Sequence, residues 1–168
     1  MKEEIINKVA KSGLITLDLE DYYQPGNRHF IDIKHHLFEE IILKEKDFRL
    51  FVKSHNWEKY KNQYVAVGCT ADAVVPVWAY MLISNALSPF AKKVVHGNLI
   101  KLESILFEEA ISNINTALYK DQRVIIKGCS NKAIPEHAYV CLTQKLSGVA
   151  KSIMYGEACS TVPIYKKK

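Results

Sequence analysis

Four short runs of β-branched and aliphatic residues punctuate the chain, and each runs up to a glycine: Tyr64-Val65-Ala66-Val67-Gly68, Lys93-Val94-Val95-His96-Gly97, Val124-Ile125-Ile126-Lys127-Gly128 and Ser152-Ile153-Met154-Tyr155-Gly156. Their glycines stand 29, 31 and 28 residues apart, near the roughly 30-residue period of a strand–helix–strand unit. Between the runs the period changes. Leu99, Leu102, Ile105, Leu106, Ile111 and Ile114 recur at three- and four-residue steps, which predicts a helix over 98–115. Residues 76–87 are apolar nearly all round, the pattern of a helix covered on both sides, and 135–146 carries one stripe through Ala138, Cys141, Leu142 and Lys145. Near-continuous apolar strands alternating with helices predict an α/β fold, a single-domain three-layer sandwich with a mostly parallel sheet.

The front of the chain, 1–62, is less regular. Ile5, Ile6 and Val9 share a helical face before Gly13, Leu14–Leu19 alternates like a strand, Gln24-Pro25-Gly26-Asn27 reads as a turn, and 37–43 and 47–55 read as helices. Strand–helix alternation fills 63–158, and 159–168 reads as a C-terminal tail of one domain spanning 1–168.

Two stretches repeat one another. Residues 63–80 and 122–139 both contain Gly-Cys-[Thr/Ser], an alanine four positions after the cysteine, and Pro-x-x-Ala-Tyr. Physically this is a strand, a sharp glycine exit, a thiol, a short loop and a helix opened by proline. The thiols of Cys69 and Cys129 would then lie at carboxyl ends of strands, where ligands bind in parallel sheets and helix N-termini favour thiolate. Gly156-Glu157-Ala158-Cys159-Ser160-Thr161-Val162-Pro163 echoes the pattern and adds a third thiol.

Composition narrows the chemistry. Of 23 basic residues only Arg28, Arg49 and Arg123 are arginine, and Lys166–Lys168 supply three of the five net positive charges, so no nucleic-acid partner is expected. The uncharged stretch 73–91 is interrupted by Pro76 and Pro89, so no membrane span is expected, and without an export signal the four cysteines should stay reduced in the cytoplasm. G-x-G-x-x-G, P-loop and G-x-S-x-G patterns are absent.

Three readings of the thiols follow. In the first, Cys69, Cys129 and Cys159 share a zinc ion or iron–sulfur cluster, with Asp72 as fourth ligand and His96 or Glu157 as alternatives. In the second, Cys69 or Cys129 is a single reactive thiol of an enzyme or sulfur carrier, with His96 or His137 as base; the arginine of a thiol-phosphatase loop is missing, since Val75 and Pro135 stand there. In the third, the thiols merely pack in a non-catalytic interaction scaffold, as Cys141 does within its helix. His35-His36, His29, the Asp18, Glu20 and Asp21 cluster, Trp78 with Tyr80, and the Phe48, Phe51, Val52 and His55 stripe all read as solvated or packed residues.

The segments Glu4–Ile15, Leu43–Arg49 and Met154–Pro163, and above all Trp78-Ala79-Tyr80-Met81 and Lys127-Gly128-Cys129-Ser130-Asn131-Lys132, resemble an uncharacterised bacterial family, domain of unknown function 2480. The resemblance brings no established activity or catalytic residue. It implies a role near sulfur mobilisation, with iron–sulfur assembly proteins as partners.

Overall fold

The computed structural model describes residues 13–128 and 131–168. In chain order they form β1 (Leu14–Leu17), β2 (Arg28–Asp32), α1 (Glu45–Ser54), β3 (Tyr64–Gly68), α2 (Val77–Leu87), β4 (Lys93–His96), α3 (Leu99–Ser112), β5 (Arg123–Ile126), α4 (Glu136–Leu146), β6 (Ser152–Glu157) and β7 (Ser160–Lys166). The fold is α/β with mostly parallel strands, and these strands divide between two sheets, β2-β3-β4 and β1-β5-β6-β7. The helix expected over 1–13 lies outside the described residues apart from Gly13, which adopts a turn. Among the described residues, no helix is long and apolar enough to cross a membrane.

The chain clusters into two compact units. One, the inserted unit, is Pro25–Ile105; the other, the split unit, joins the described residues up to Gln24 to Leu106–Lys168. In the inserted unit all strand pairs are parallel, with Val67 of β3 opposite Ile31 of β2 and His96 of β4. Its core gathers Val65 and Val67 of β3 under Ala79, Ile83 and Leu87 of α2, with Phe48 of α1 fully buried. In the split unit β1, β5 and β6 are likewise parallel, with Ile126 of β5 opposite Leu17 and Tyr155. Val124 and Ile126 lie under Ala138, Leu142 and Leu146 of α4.

The two units therefore use one plan. Each runs strand, short 3-10 helix, α-helix, 3-10 turn, central strand, α-helix, third strand. Details repeat as well: Asn62 and Asp121 both take positive φ before the central strand. The Gln63 and Gln122 carbonyls accept from Lys92 and Lys151 N–H in turn.

Two local expectations are corrected, and one strand, β2, is new. Residues 37–43 form no α-helix, because Glu39 (φ 51°) and Glu40 (φ 58°) are both left-handed and close a tight turn. Phe38 N–H donates to Ile42 O at 2.7 Å and Ile42 N–H to Phe38 O at 3.1 Å. The chain after Gln24-Pro25-Gly26-Asn27 enters β2, whose alternation is blurred because Arg28, His29 and Phe30 are all half-buried. The supposed tail at 159–168 is largely β7, an antiparallel strand that closes a hairpin on β6. That hairpin depends on Gly156. Its φ is +120°, and a Cβ there would stand 2.5 Å from the Ser160 carbonyl oxygen.

Histidines pack into the inserted unit rather than facing solvent alone. The His36 ring stacks on Phe51 at 3.5 Å between centroids, and His55 lies 4.5 Å from Trp57. Burial, with neighbouring positive groups, holds both imidazoles below their ordinary value of 6.5. They are harder to protonate in the fold than in the unfolded chain, so the stability they contribute is complete above pH 6.5 and is lost as pH falls below it. Thermal melts from pH 7 to pH 5 are expected to show a falling midpoint, with a shallower slope in His36→Phe. Gly156→Ala is expected to lose about 1–3 kcal/mol in chemical denaturation.

Candidate functional site

Parallel α/β sheets bind ligands beyond the carboxyl ends of their strands, and in the inserted unit that end carries Asp32, Gly68-Cys69-Thr70 and His96. Asp32 ends β2 and caps the 3-10 helix Ile33–His36, its Oδ1 accepting from Lys34 N–H at 3.0 Å. The same carboxylate ties down the loop after β3. Oδ1 accepts from Thr70 N–H at 3.0 Å and Oδ2 from the Thr70 hydroxyl at 2.5 Å. Burial alone would raise the Asp32 carboxyl, but the Thr70 hydroxyl and the two N–H donors hold it below its ordinary value.

Cys69 sits in this loop, partly buried, with its thiol 3.8 Å from the Ala71 carbonyl. Gly68 before it admits no side chain, since a Cβ would approach the Gly97 carbonyl to 2.8 Å. Tyr80 of α2 meets the His96 ring edge-on at 4.5 Å. Burial, followed by the charges of Cys69 and Asp32, raises the Tyr80 phenol above its ordinary value. Beside these groups a groove of about 550 Å³ runs between α2 and β4, lined by Val67, Val77, Tyr80, Met81, Ser84, Val94 and His96.

The split unit repeats the arrangement with other chemistry. Asp18 caps Leu19–Tyr22 and pairs with Lys127 Nζ at 2.6 Å, while Ser130, the counterpart of Thr70 in the repeat, lies outside the described residues. Glu20 accepts from Asn131 N–H. Asp18 and Glu20 are thus bound into loop structure and do not form the solvated strand face that alternation suggests. Tyr139 and Tyr155 stand where Tyr80 and His96 stand, again edge-on, at 5.7 Å. A groove of about 280 Å³ lies over Ile126, Tyr139, Val140, Thr143 and Tyr155, and Ile164 of β7 helps to line it.

The sequence-predicted ligands are divided between the two units. Cys69, exposed Asp72 and His96 belong to the inserted unit, whereas Cys159 and Glu157 belong to the split unit. Cys129 lies outside the described residues. Cys159 is exposed and sits in the β6–β7 turn, so its loop leads to a strand, not to a helix as at Cys69. Among the described residues, no group of three or more His, Cys, Asp or Glu side chains is placed to hold a metal ion.

Cys141 is only partly buried, and its thiol lies 3.3 Å from His137 Nε2, which is 3.4 Å from Glu108 Oε2. Burial and the Glu108 charge raise that thiol, favouring the protonated form. The spacing His137–Cys141, one helical turn, was the available signal for this pair. For the two capping aspartates it was the matching Leu17-Asp18-Leu19 and Ile31-Asp32-Ile33.

A family model matches residues 3–167. The chain belongs to the family described as protein of unknown function (DUF2480). No curated protein and no solved structure matches it. In this DUF2480 member the Asp32 carboxylate holds the Cys69 loop through both the N–H and the hydroxyl of Thr70. Asp32→Ala is expected to cost about 1–2 kcal/mol, by loss of a cap and of the loop's anchor. Thr70→Ala, which leaves both N–H bonds in place, should cost about 0.5–1.5 kcal/mol. Urea denaturation of the two variants checks the order.

Proposed function

We propose that this DUF2480 protein is an interaction module, and that the groove between α2 and β4 receives an extended apolar segment of a partner. One observation carries the reading. At the equivalent edge of the split unit an antiparallel strand, β7, pairs with β6, and its Ile164 lines the smaller groove there with Val140 and Thr143 of α4. In the inserted unit, β4 pairs with β3 alone among the described residues.

Helix α2 supports this reading. Its sequence is the one expected to be covered on both sides, yet Val77 is 73% and Met81 65% exposed. Buried Ala79, Ile83 and Leu87 account for one face only. A strand that pairs on one side only among the described residues, beside an apolar helix face, has the geometry of strand addition, where main-chain bonds give affinity and a side-chain pocket gives selectivity. Asp32 and Cys69 then serve the loop that ends the groove.

The closing strand of the split unit supplies the probe. A peptide of sequence Ser-Thr-Val-Pro-Ile-Tyr-Lys, added in large excess to isotope-labelled protein, is expected to shift the NMR signals of Met81, Val94 and His96. Met81→Glu should abolish those shifts. Shifts confined to β6, or none at all, would contradict the reading.

A further inference from the structure

The open groove lies on a face suited to one partner in particular. We propose that the partner is a second copy of this chain, with β4 pairing antiparallel to β4 of the second copy about a two-fold axis. Two three-stranded sheets become one of six strands, and the Val77–Met81 faces of two α2 helices meet over the junction. This rests on the docking reading above and names its occupant.

Charge is the first argument. A two-fold interface uses the same patch on both sides and tends to set charges near its axis against their like. It therefore favours a face without charge. Helix α2 has no charged residue from Val77 to Leu87, whereas the equivalent α4 carries Glu136 and Lys145.

Register is the second. Val94 lines the groove beneath α2, and neighbouring strand residues point to opposite faces, which puts Val95 on the other side of the sheet. A two-fold axis normal to the sheet preserves the faces, so each residue must oppose one of the same face. Pairing centred on Val95 sets Val94 against His96 of the second copy and Lys93 against Gly97. It opposes no lysine to a lysine or histidine. Pairing centred on Val94 would oppose His96 to Lys92 and Val95 to Lys93.

The strand direction is the third. The occupant of the equivalent edge, β7, is antiparallel to β6, and two-fold pairing delivers an antiparallel strand to β4 in the same way. Self-pairing also gives β4 the second neighbouring strand that it lacks among the described residues.

Sedimentation of the full-length chain tests this. Wild type is expected at twice the chain mass at high concentration, dissociating on dilution, and excess Ser-Thr-Val-Pro-Ile-Tyr-Lys peptide should drive it to monomer. Met81→Glu and Val77→Lys, at exposed positions that folding does not bury, should be monomers with unchanged circular dichroism. Leu118→Glu, at an exposed site of the split unit, should remain a dimer. A wild-type monomer whose Met81, Val94 and His96 signals still shift with the peptide would overturn the second-copy proposal and leave the docking reading intact. A wild-type monomer with no such shifts would overturn both. A dimer that persists in Met81→Glu and Val77→Lys would place self-association on another face and overturn the proposal.

Discussion

A parallel sheet of three strands must bury its faces and still end in two edges, each a row of backbone groups needing partners. How the third strand meets that constraint distinguishes the two units of this protein. In the split unit the chain turns at Ala158-Cys159 and lays β7 along β6, closing the edge and bringing Ile164 to the groove beside α4. In the inserted unit the chain leaves β4 through Gly97 into α3, and the same edge stays open among the described residues. The helices above also differ: α4 carries Glu136 and Lys145 and exposes Val140, whereas α2 carries no charged residue and exposes Val77 and Met81.

The other end of the plan is held by carboxylates. Asp32 and Asp18 each close the first strand, cap a 3-10 helix and bind the loop that follows the central strand. Thr70 provides a neutral partner in one unit and Lys127 a charged one in the other. This interaction fixes where Cys69 lies and makes its loop part of the frame. It also explains why a thiol at a strand end need not be a reactive group, since the order of the loop comes from the aspartate.

The central strands, the third strands and the helices between them were legible in the sequence, because buried parallel strands write continuous apolar runs that end at glycine. The repeat of 63–80 and 122–139 was legible too, and it marks the equivalent central segments of the two units. Its wider extent was not, since only Leu17-Asp18-Leu19 and Ile31-Asp32-Ile33 preserve it at the front of the chain. β2 and β7 escaped detection for a common physical reason: as half-buried or exposed strands, with Arg28 and His29 in one and Pro163 in the other, they lack a clean alternation. The two left-handed glutamates at Glu39 and Glu40 hid the turn that replaces a helix, as a helical pattern of apolar residues there does not reveal φ. Spacing alone also suggested that three cysteines share one sheet edge, but Cys69 and Cys159 belong to different sheets.

The central claim is that the outer edge of β4 is a pairing surface, and amide hydrogen exchange reads that edge directly. Exchange in the segment Lys93–Gly97 should slow as protein concentration rises, while exchange in Ser152–Glu157, whose edge β7 already occupies, should not change with concentration. Protection of Lys93–Gly97 that is independent of concentration, or absent at every concentration, would contradict the account.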